Sequence, residues 1–418
     1  MKKHAVQVRL LLALVCWAIL IPFCGADQAS ILVGASSADI NPPKGICMGG
    51  YGKNRLTTGV HDNLYAKAVV FDDGRTPVAL VAVDSIGVPY ADVKKIRAEA
   101  SSRVTDVDLP PERIIVSSTH SHSTPDMNGI WGPDFKTTGR DAGYVAKLID
   151  TAANQIVLAV ENRKPAKLMY AVTKCHGWAV NVIDPGVFDF SVNVLQCVDE
   201  QGETIATLTN FACHPTILDD PNTLASADWI GYFYKRMDSS LPGEHLFLQG
   251  AIGGWVQPFN YRRTFEVANE YGTDLAKKTL VALKQARPLN ASKIRFARKV
   301  FGIPVENTMF RALFEAGVVP GQLTGDKGEN VETEVAWFAV GSAEFATHPG
   351  ETSPAFSLKT KALMKGEPKF VLGLGLDQLG YIIEKEKFGK NPFEYNSRVS
   401  VGKEAGPRMM EALASIIP

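Results

Sequence analysis

The feature that most constrains the fold is a β-run that stops abruptly at two histidines. In Arg113–Asp126, RIIVSSTHSHSTPD, the consecutive β-branched Ile114, Ile115 and Val116 predict a buried strand, and the Ser, Thr and Pro that follow end it. His120 and His122 are thereby placed at a strand's carboxyl end, the edge at which open α/β sheets bind ligands. The whole chain has only eight histidines, so two this close are a local concentration. Neutral imidazole is the commonest metal ligand. A bland alternative stays open on these residues alone, with one histidine capping the loop and the other an ordinary hydrogen-bonded side chain.

The same punctuation recurs along the chain. Val78–Val83 is continuously apolar, the mark of a strand covered on both faces, and ends in Asp84. Thr204–Phe211 runs into Ala212-Cys213-His214-Pro215. Val331–Thr347, a strand pair or one long bent strand, runs into His348-Pro349-Gly350-Glu351, and Phe370–Leu376 is followed within a few residues by Tyr381. Further strands are predicted at Val192–Val198, Leu246–Gln249 and Lys293–Pro304. Helical periodicity falls at Ala91–Arg103, Arg140–Asn162, Asp228–Met237, Glu266–Gln285, Thr352–Met364 and Glu404–Ile416. The strand, helix, strand unit from Val78 to Ser118 is most simply parallel. The predicted class is therefore α/β, a mixed, largely parallel β-sheet core with flanking helices and a metal site where strand ends converge.

Composition excludes more than it asserts. Lys plus Arg and Asp plus Glu are 44 each, so the basic excess that phosphate binding needs is missing and nucleic acid is not an expected partner. Met1–Ala26 has the parts of a secretory signal: Lys2, Lys3 and Arg9, an apolar core Leu10–Phe23, and the small-residue site Cys24-Gly25-Ala26. The expectation is a signal peptide over 1–26, one domain over 27–418, and a secreted or periplasmic protein. The apolar core is shorter than the ~20 residues of a spanning helix, and no transmembrane helix is expected after its removal. Cys47, Cys175, Cys197 and Cys213 lack the CxxC spacing of thiolate zinc or redox sites, and Cys197 and Cys213 fall in or at the end of predicted strands.

Several spaced motifs together make the chain resemble the neutral ceramidase family, secreted zinc amidases that hydrolyse the N-acyl bond of ceramides. They are SADINPP at 37–43, STHSHS at 118–123, NFACHPT at 210–216, SADWIGY at 226–232, QGAIGG at 249–254, PGET at 349–352 and GLDQLGYI at 375–382. The resemblance implies one Zn2+ per chain on His120, His214, Glu351 and Tyr381, with His122 lining the site as a catalytic proton carrier and Tyr381 also acting in catalysis. Such an ion polarises a scissile carbonyl and lowers the pKa of a bound water toward ~7. The implied partner is a lipid-like acyl amide, ceramide by default, with peripheral contact to membrane lipid.

The substrate-binding residues depart from that pattern. Where the family carries an acidic residue and, two positions later, a serine or asparagine before the proline, this chain reads Gly254-Trp255-Val256-Gln257-Pro258. No arginine lies in Gly177–Phe190, where the family places one, and Phe393 stands at an expected tyrosine with Tyr395 two residues on. Trp255, Gln257, Phe393 and Tyr395 are thus the expected substrate contacts. Three readings follow: a ceramidase-like zinc amidase using metal-activated water, a zinc hydrolase of another acyl amide or ester, and a catalytically silent ligand-binding homologue.

Overall fold

A computed structural model describes residues 31–259 and 262–418; the leader expected over 1–26 lies outside the described residues. The first sheet is built from β1 (Ile31–Asp39), β2 (Tyr65–Asp72), β3 (Val78–Val83), β4 (Ile114–Ser118), β5 (Lys164–Lys174), β6 (Ser191–Val198), β7 (Thr204–Phe211) and β8 (Glu244–Gln249). Their order across the sheet is β8, β7, β6, β5, β1, β2, β3, β4, with the short strand Arg287–Leu289 also paired to β5. Between them lie helices α1 (Tyr90–Arg103), α2 (Ala142–Glu161) and α3 (Trp229–Asp238), and α4 (Phe265–Leu283) follows β8. Helices and strands fall where the hydrophobic periodicity puts them, within a residue or two at most ends.

The sheet is mixed, but the expected predominance of parallel pairing is corrected. Only β3 with β4 and β7 with β8 run parallel; β1–β2, β2–β3, β1–β5, β5–β6 and β6–β7 are antiparallel. The reason lies in the connections. A tight turn at Gly74 joins β2 to β3 and another at Asp199–Glu203 joins β6 to β7, and such turns can link only antiparallel neighbours. Parallel pairing appears only where a helix, α1 or α3, provides the crossover, so the unit from Val78 to Ser118 is parallel as predicted. Strand β5 was not visible in the sequence, because KPAKLMYAVTK mixes charges with apolar residues and its exposed and buried positions alternate imperfectly.

A second sheet follows from β9 (Ile294–Pro304), β10 (Asn330–Val340), β11 (Ala343–His348) and β12 (Lys369–Gly373). β9–β10 and β10–β11 are antiparallel, while β11 and β12, separated by helix α5 (Pro354–Leu363), are parallel. The run Val331–Thr347 is thus a strand pair turning at Gly341, whose φ is +61°. Period-two alternation sorts its faces. Phe338, Phe345 and Phe370 stack across three strands at centroid spacings of 4.4 Å on the side of the main core. Trp337, Ala339, Ala346 and Val371 face the other way, under helix α6 (Ala405–Ile416).

One buried ion pair ties the two sheets together. Arg97 of α1 donates to both oxygens of Glu334 on β10 at 3.0 and 3.1 Å and to the Ile114 carbonyl at 2.7 Å, while Tyr90 Oη donates to the same carboxylate at 2.9 Å. Both partners are almost fully buried. Removing one side of such a pair leaves an uncompensated charge in the interior. Arg97→Met should therefore destabilise the fold by on the order of 3–5 kcal/mol in urea unfolding, more than an exposed charge deletion such as Lys94→Met. Equal effects of the two substitutions would contradict that assignment.

Candidate metal centre and substrate cleft

The parallel parts of both sheets point their carboxyl ends at one place. β4 delivers His120, β7 delivers His214, β11 delivers Glu351 through the turn His348-Pro349-Gly350, and the chain beyond β12 delivers Tyr381. Glu351 and Tyr381 become direct neighbours because Glu351–Thr352 and Tyr381–Ile382 pair as a short parallel ladder. His348 braces the turn from behind, bonded through Nδ1 to Thr352 Oγ1 at 2.8 Å and through Nε2 to Thr360 Oγ1 at 3.0 Å. Its burial lowers its pKa to about 3, so it is a neutral structural residue.

The two buried imidazoles are oriented in the same way. His120 Nδ1 lies 2.5 Å from the Ile86 carbonyl and His214 Nδ1 lies 2.6 Å from the Val256 carbonyl. A carbonyl only accepts, so each Nδ1 carries the proton and each Nε2 presents a lone pair. Those lone pairs converge on Glu351 Oε2, at 3.4 Å from His120 and 3.2 Å from His214. His122 Nε2 is 3.2 Å from His120 Nε2, and the three imidazoles place one ligand nitrogen each within 4.8 Å of one another. Acceptors facing acceptors at such distances repel unless a cation lies among them. Two ligands of a tetrahedral zinc at ~2.0–2.1 Å are about 3.3 Å apart, which is the spacing found here, so the donor set fits a zinc-sized ion.

Protonation states agree with that fit. Burial pushes the His214 pKa down, and burial with the neighbouring His120 and His214 holds His122 well below the usual imidazole range. Burial alone would raise Glu351, but the two histidines bonded to it hold it well below the ordinary carboxylate value. Neutral imidazoles beside an ionised carboxylate are the forms that bind a metal. Tyr381, hydrogen-bonded to Glu351, has its phenol pKa raised, first by burial and then by that carboxylate.

Several residues missed by sequence reasoning hold this arrangement. Gln249, fully buried at the end of β8, donates to the carbonyls of Thr119 and Cys213 at 2.9 Å each and accepts from the N–H groups of Cys213 and Gly250 at 3.1 Å each. One amide thus clasps the residues immediately before His120 and His214. Arg55 donates to the carbonyls of His122, Gly49 and Asn222. Gly50 (φ +100°) lies so close that a Cβ there would come within 2.5 Å of the His122 ring, and a Cβ at Gly253 would come within 2.1 Å of the Glu351 carbonyl oxygen. The QGAIGG motif carried the signal for Gln249 and Gly253; Arg55 sits in no motif, and its carbonyl partners are distant in sequence.

Two lobes of a cleft, of about 550 and 580 Å³, meet at this centre and share His122, Tyr381 and Tyr395. The first reaches His120, Glu351, Asp377 and Gln378, whose Nε2 donates to Glu351 Oε1 at 3.3 Å. The second is lined by Tyr51, Trp255, Gln257, Arg263 and Met309. Trp255, at φ +78°, stacks on Tyr395 with 5.4 Å between centroids, and Tyr395 meets Tyr381 edge-on at 5.9 Å. The structure therefore places three of the four expected substrate contacts, Trp255, Gln257 and Tyr395, in the cleft. Phe393 is elsewhere: it is buried beneath Lys387 and lines neither lobe, because it starts the short helix Glu394–Arg398 that turns Tyr395 inward instead. Cys197 and Cys213 are free and buried, as expected of small hydrophobes.

A mixed α/β fold with a buried cluster of histidines and a carboxylate at the floor of an aromatic cleft defines the class. Residues 31–182 match the family described as neutral/alkaline non-lysosomal ceramidase, N-terminal. The chain is similar to neutral ceramidases of Drosophila melanogaster (21% identical over 254 residues, 54% of this chain) and Pseudomonas aeruginosa (24% over 240 residues, 53% of this chain). These matches span only 35% and 36% of the relatives' own lengths. The crystal structure of the Pseudomonas aeruginosa neutral ceramidase superposes with a TM-score of 0.76 over 94% of this chain and 74% of that one, at 17% identity. The resemblance to the neutral ceramidases read from the motifs is thereby borne out in sequence and in fold.

Gln249→Leu removes the two donated and two accepted hydrogen bonds of the clasp while approximating the side-chain volume. If His120 and His214 hold a metal ion, loosening their support should cost ~10–100-fold in affinity. In a zinc titration the folded variant should then bind the ion correspondingly more weakly than wild type, whereas equal affinity would show that the clasp does not set the geometry of the two imidazoles.

Proposed function

We propose that the chain is a zinc-dependent hydrolase of N-acyl amide bonds acting on a lipid-like substrate, with ceramide the default. The observation that carries the reading is the convergence of two Nε2 lone pairs and one carboxylate oxygen, each imidazole fixed by a backbone carbonyl on its other nitrogen. His120, His214 and Glu351 would hold the ion, with Tyr381 completing the set from beside Glu351. Zinc bound there supplies Lewis-acid polarisation of the acyl carbonyl and acidification of water.

The remaining steps belong to the chain. His122 faces both lobes and its Nδ1 is buried without a protein hydrogen-bond partner, which suits a group that takes and returns a proton at that nitrogen or its neighbour. Tyr381, hydrogen-bonded to Glu351, would position the carboxylate. Gln257, at the position of the family's serine, cannot attack, and water is the proposed attacking group. Trp255 and Tyr395 offer an apolar wall that grips an acyl tail by burial at ~25 cal/mol per Å². Export through a leader over 1–26, to the cell exterior or periplasm, goes with this reading, as does a single hydrolase domain over 27–418.

Trp255 and Gln257, in place of the family's acidic residue and serine, favour a substrate smaller than ceramide or with a different head group, because a site without those partners cannot reject compounds lacking the matching groups. The test is elemental analysis together with a substrate panel. About one zinc per chain is expected, lost in His120→Ala and in His214→Ala but kept in His122→Ala with a reduced rate. kcat/KM for simple N-acyl amides or fatty esters should equal or exceed that for ceramide. Full zinc in both ligand variants would overturn the metal assignment, and bound zinc without turnover of any acyl compound would leave the silent ligand-binding homologue as the better account.

A further inference from the structure

Two side-chain carbonyl oxygens at the first lobe have no partner among the described residues. Gln378 donates through Nε2 to Glu351 Oε1 at 3.3 Å, and because a carboxylate only accepts, Oε1 is the branch of the amide left over. That Oε1 is buried without a hydrogen bond, and so is Oδ1 of Asn128, a residue only 8% exposed. Both residues line the first lobe and neither lines the second. Their backbones are fixed. Asp126 accepts the N–H groups of Asn128, Gly129 and Trp131 at 2.7 to 2.9 Å, and Asp377 Oδ1 accepts the Gln378 N–H at 2.8 Å. A Cβ on Gly87 would lie 2.6 Å from Gln378 Cγ, so the absence of a side chain there makes room for the Gln378 stem. Buried polar atoms are ordinarily paired, and two unpaired acceptors on the wall of one lobe point to a donor that enters it.

Resting on the reading of the cleft as an acyl-amide site, we propose that Asn128 and Gln378 select the amine half of the substrate. The first lobe takes the amine side of the scissile bond, and that side carries a hydroxyl or ammonium donor close to the nitrogen. The lobes share His122, Tyr381 and Tyr395, so an amide lying across the centre puts one half in each. An acyl chain has no donor. Laid over Asn128 and Gln378 it would leave two buried acceptors unpaired, at a cost in affinity, whereas a donor on the amine half answers them. The second lobe sets no such demand. Its unpartnered buried side-chain atoms are His122 Nδ1, shared with the first lobe, and the Thr216 hydroxyl, which rotates to suit either a donor or an acceptor. Trp255 and Gln257 line the second lobe alone, so relaxed recognition there is compatible with donor selection in the first.

Charge narrows the class. Lys94 is the one lysine or arginine among the described residues lining the first lobe, and Glu332 already holds it at 3.3 Å. Asp377 is a further carboxylate of the same wall, accepting from the Tyr90 and Gln378 N–H groups and from the Thr333 hydroxyl at 2.7 to 2.9 Å. A carboxylate on the amine half would meet like charge there, and an ammonium would not. The substrates selected are therefore acyl amides of hydroxylated or cationic amines, and acyl amino acids are turned away.

The experiment compares the dodecanoyl amides of ethanolamine, ethylenediamine, propylamine and β-alanine, which put a hydroxyl, an ammonium, a methyl or a carboxylate at one place beyond the scissile nitrogen. In wild type, kcat/KM for the hydroxyl and ammonium compounds should exceed that for the methyl compound by about tenfold or more, with the carboxylate compound lowest. Asn128→Leu should lower the hydroxyl-to-methyl ratio about tenfold. Asn128→Asp keeps an acceptor at that place and should hold the ratio while favouring the ammonium further. Ratios compared between variants cancel the differing reactivity of the amides, and a merely structural role of Asn128 would move all the rates together. The proposal is overturned if wild type treats the hydroxyl and methyl compounds alike, if the carboxylate compound is preferred, or if Asn128→Leu lowers every rate in one proportion. The wild-type comparison decides even where a variant fails to fold. Dodecanesulfonamides of the same amines, which are not hydrolysed, are titrated calorimetrically into the purified protein. The same order of affinity without turnover of any amide sinks only the hydrolase reading, turnover of the amides without that order sinks only the assignment of the lobe, and neither binding nor turnover overturns both.

Discussion

The site depends on two hydrogen bonds that involve no side-chain acceptor, from His120 Nδ1 to the Ile86 carbonyl and from His214 Nδ1 to the Val256 carbonyl. Because a carbonyl can only accept, these bonds fix the tautomer of both rings, and with it the direction in which each lone pair points. Everything else in the region serves to hold those carbonyls and rings in register. Gln249 joins the two histidine segments through their backbones, and Trp229 Nε1 adds a bond to the His214 carbonyl at 3.1 Å. His120 itself sits at φ +70°, a conformation costly for a residue with a side chain and kept because its own N–H is bonded to Ser85.

The architecture explains why residues 120, 214, 351 and 381 meet. Three parallel pairings, β3 with β4, β7 with β8 and β11 with β12, bring carboxyl ends to one side of two sheets that otherwise run antiparallel. The ion pair Arg97–Glu334 and the stacked ring ladder Phe338, Phe345 and Phe370 lock the second sheet onto the first. The centre therefore lies at a seam, with His120 and His214 supplied from one sheet and Glu351 and Tyr381 from the other.

Much of this was legible in the chain, for physical reasons that differ by residue. Buried strands such as Val78–Val83 announce themselves by an uninterrupted apolar run, and the polar residue at which each run stops marks the sheet edge. Strand direction was legible only where a helix joins two strands, as from Val78 to Ser118, since apolar patterning records burial and not orientation. The placing of Phe393 failed for a related reason. An aromatic two positions from another is written identically whether it faces a cleft or a core, and only the start of the short helix at Glu394 decides that Tyr395 faces the cleft and Phe393 the interior. Arg55 sits in no motif and acts through backbone carbonyls distant in sequence, which leave no trace in side-chain identity, whereas Gln249 falls inside the QGAIGG motif.

The proposed metal ion lies at the seam between the two sheets. Anomalous diffraction from a crystal of zinc-loaded protein, recorded on both sides of the zinc absorption edge, tests it most directly. One strong peak per chain is expected within coordination distance of His120 Nε2, His214 Nε2 and Glu351 Oε2, at ~2.0–2.2 Å from each. No peak among these three atoms, or a peak bound by other residues while Glu351 stays hydrogen-bonded to both histidines, would contradict it.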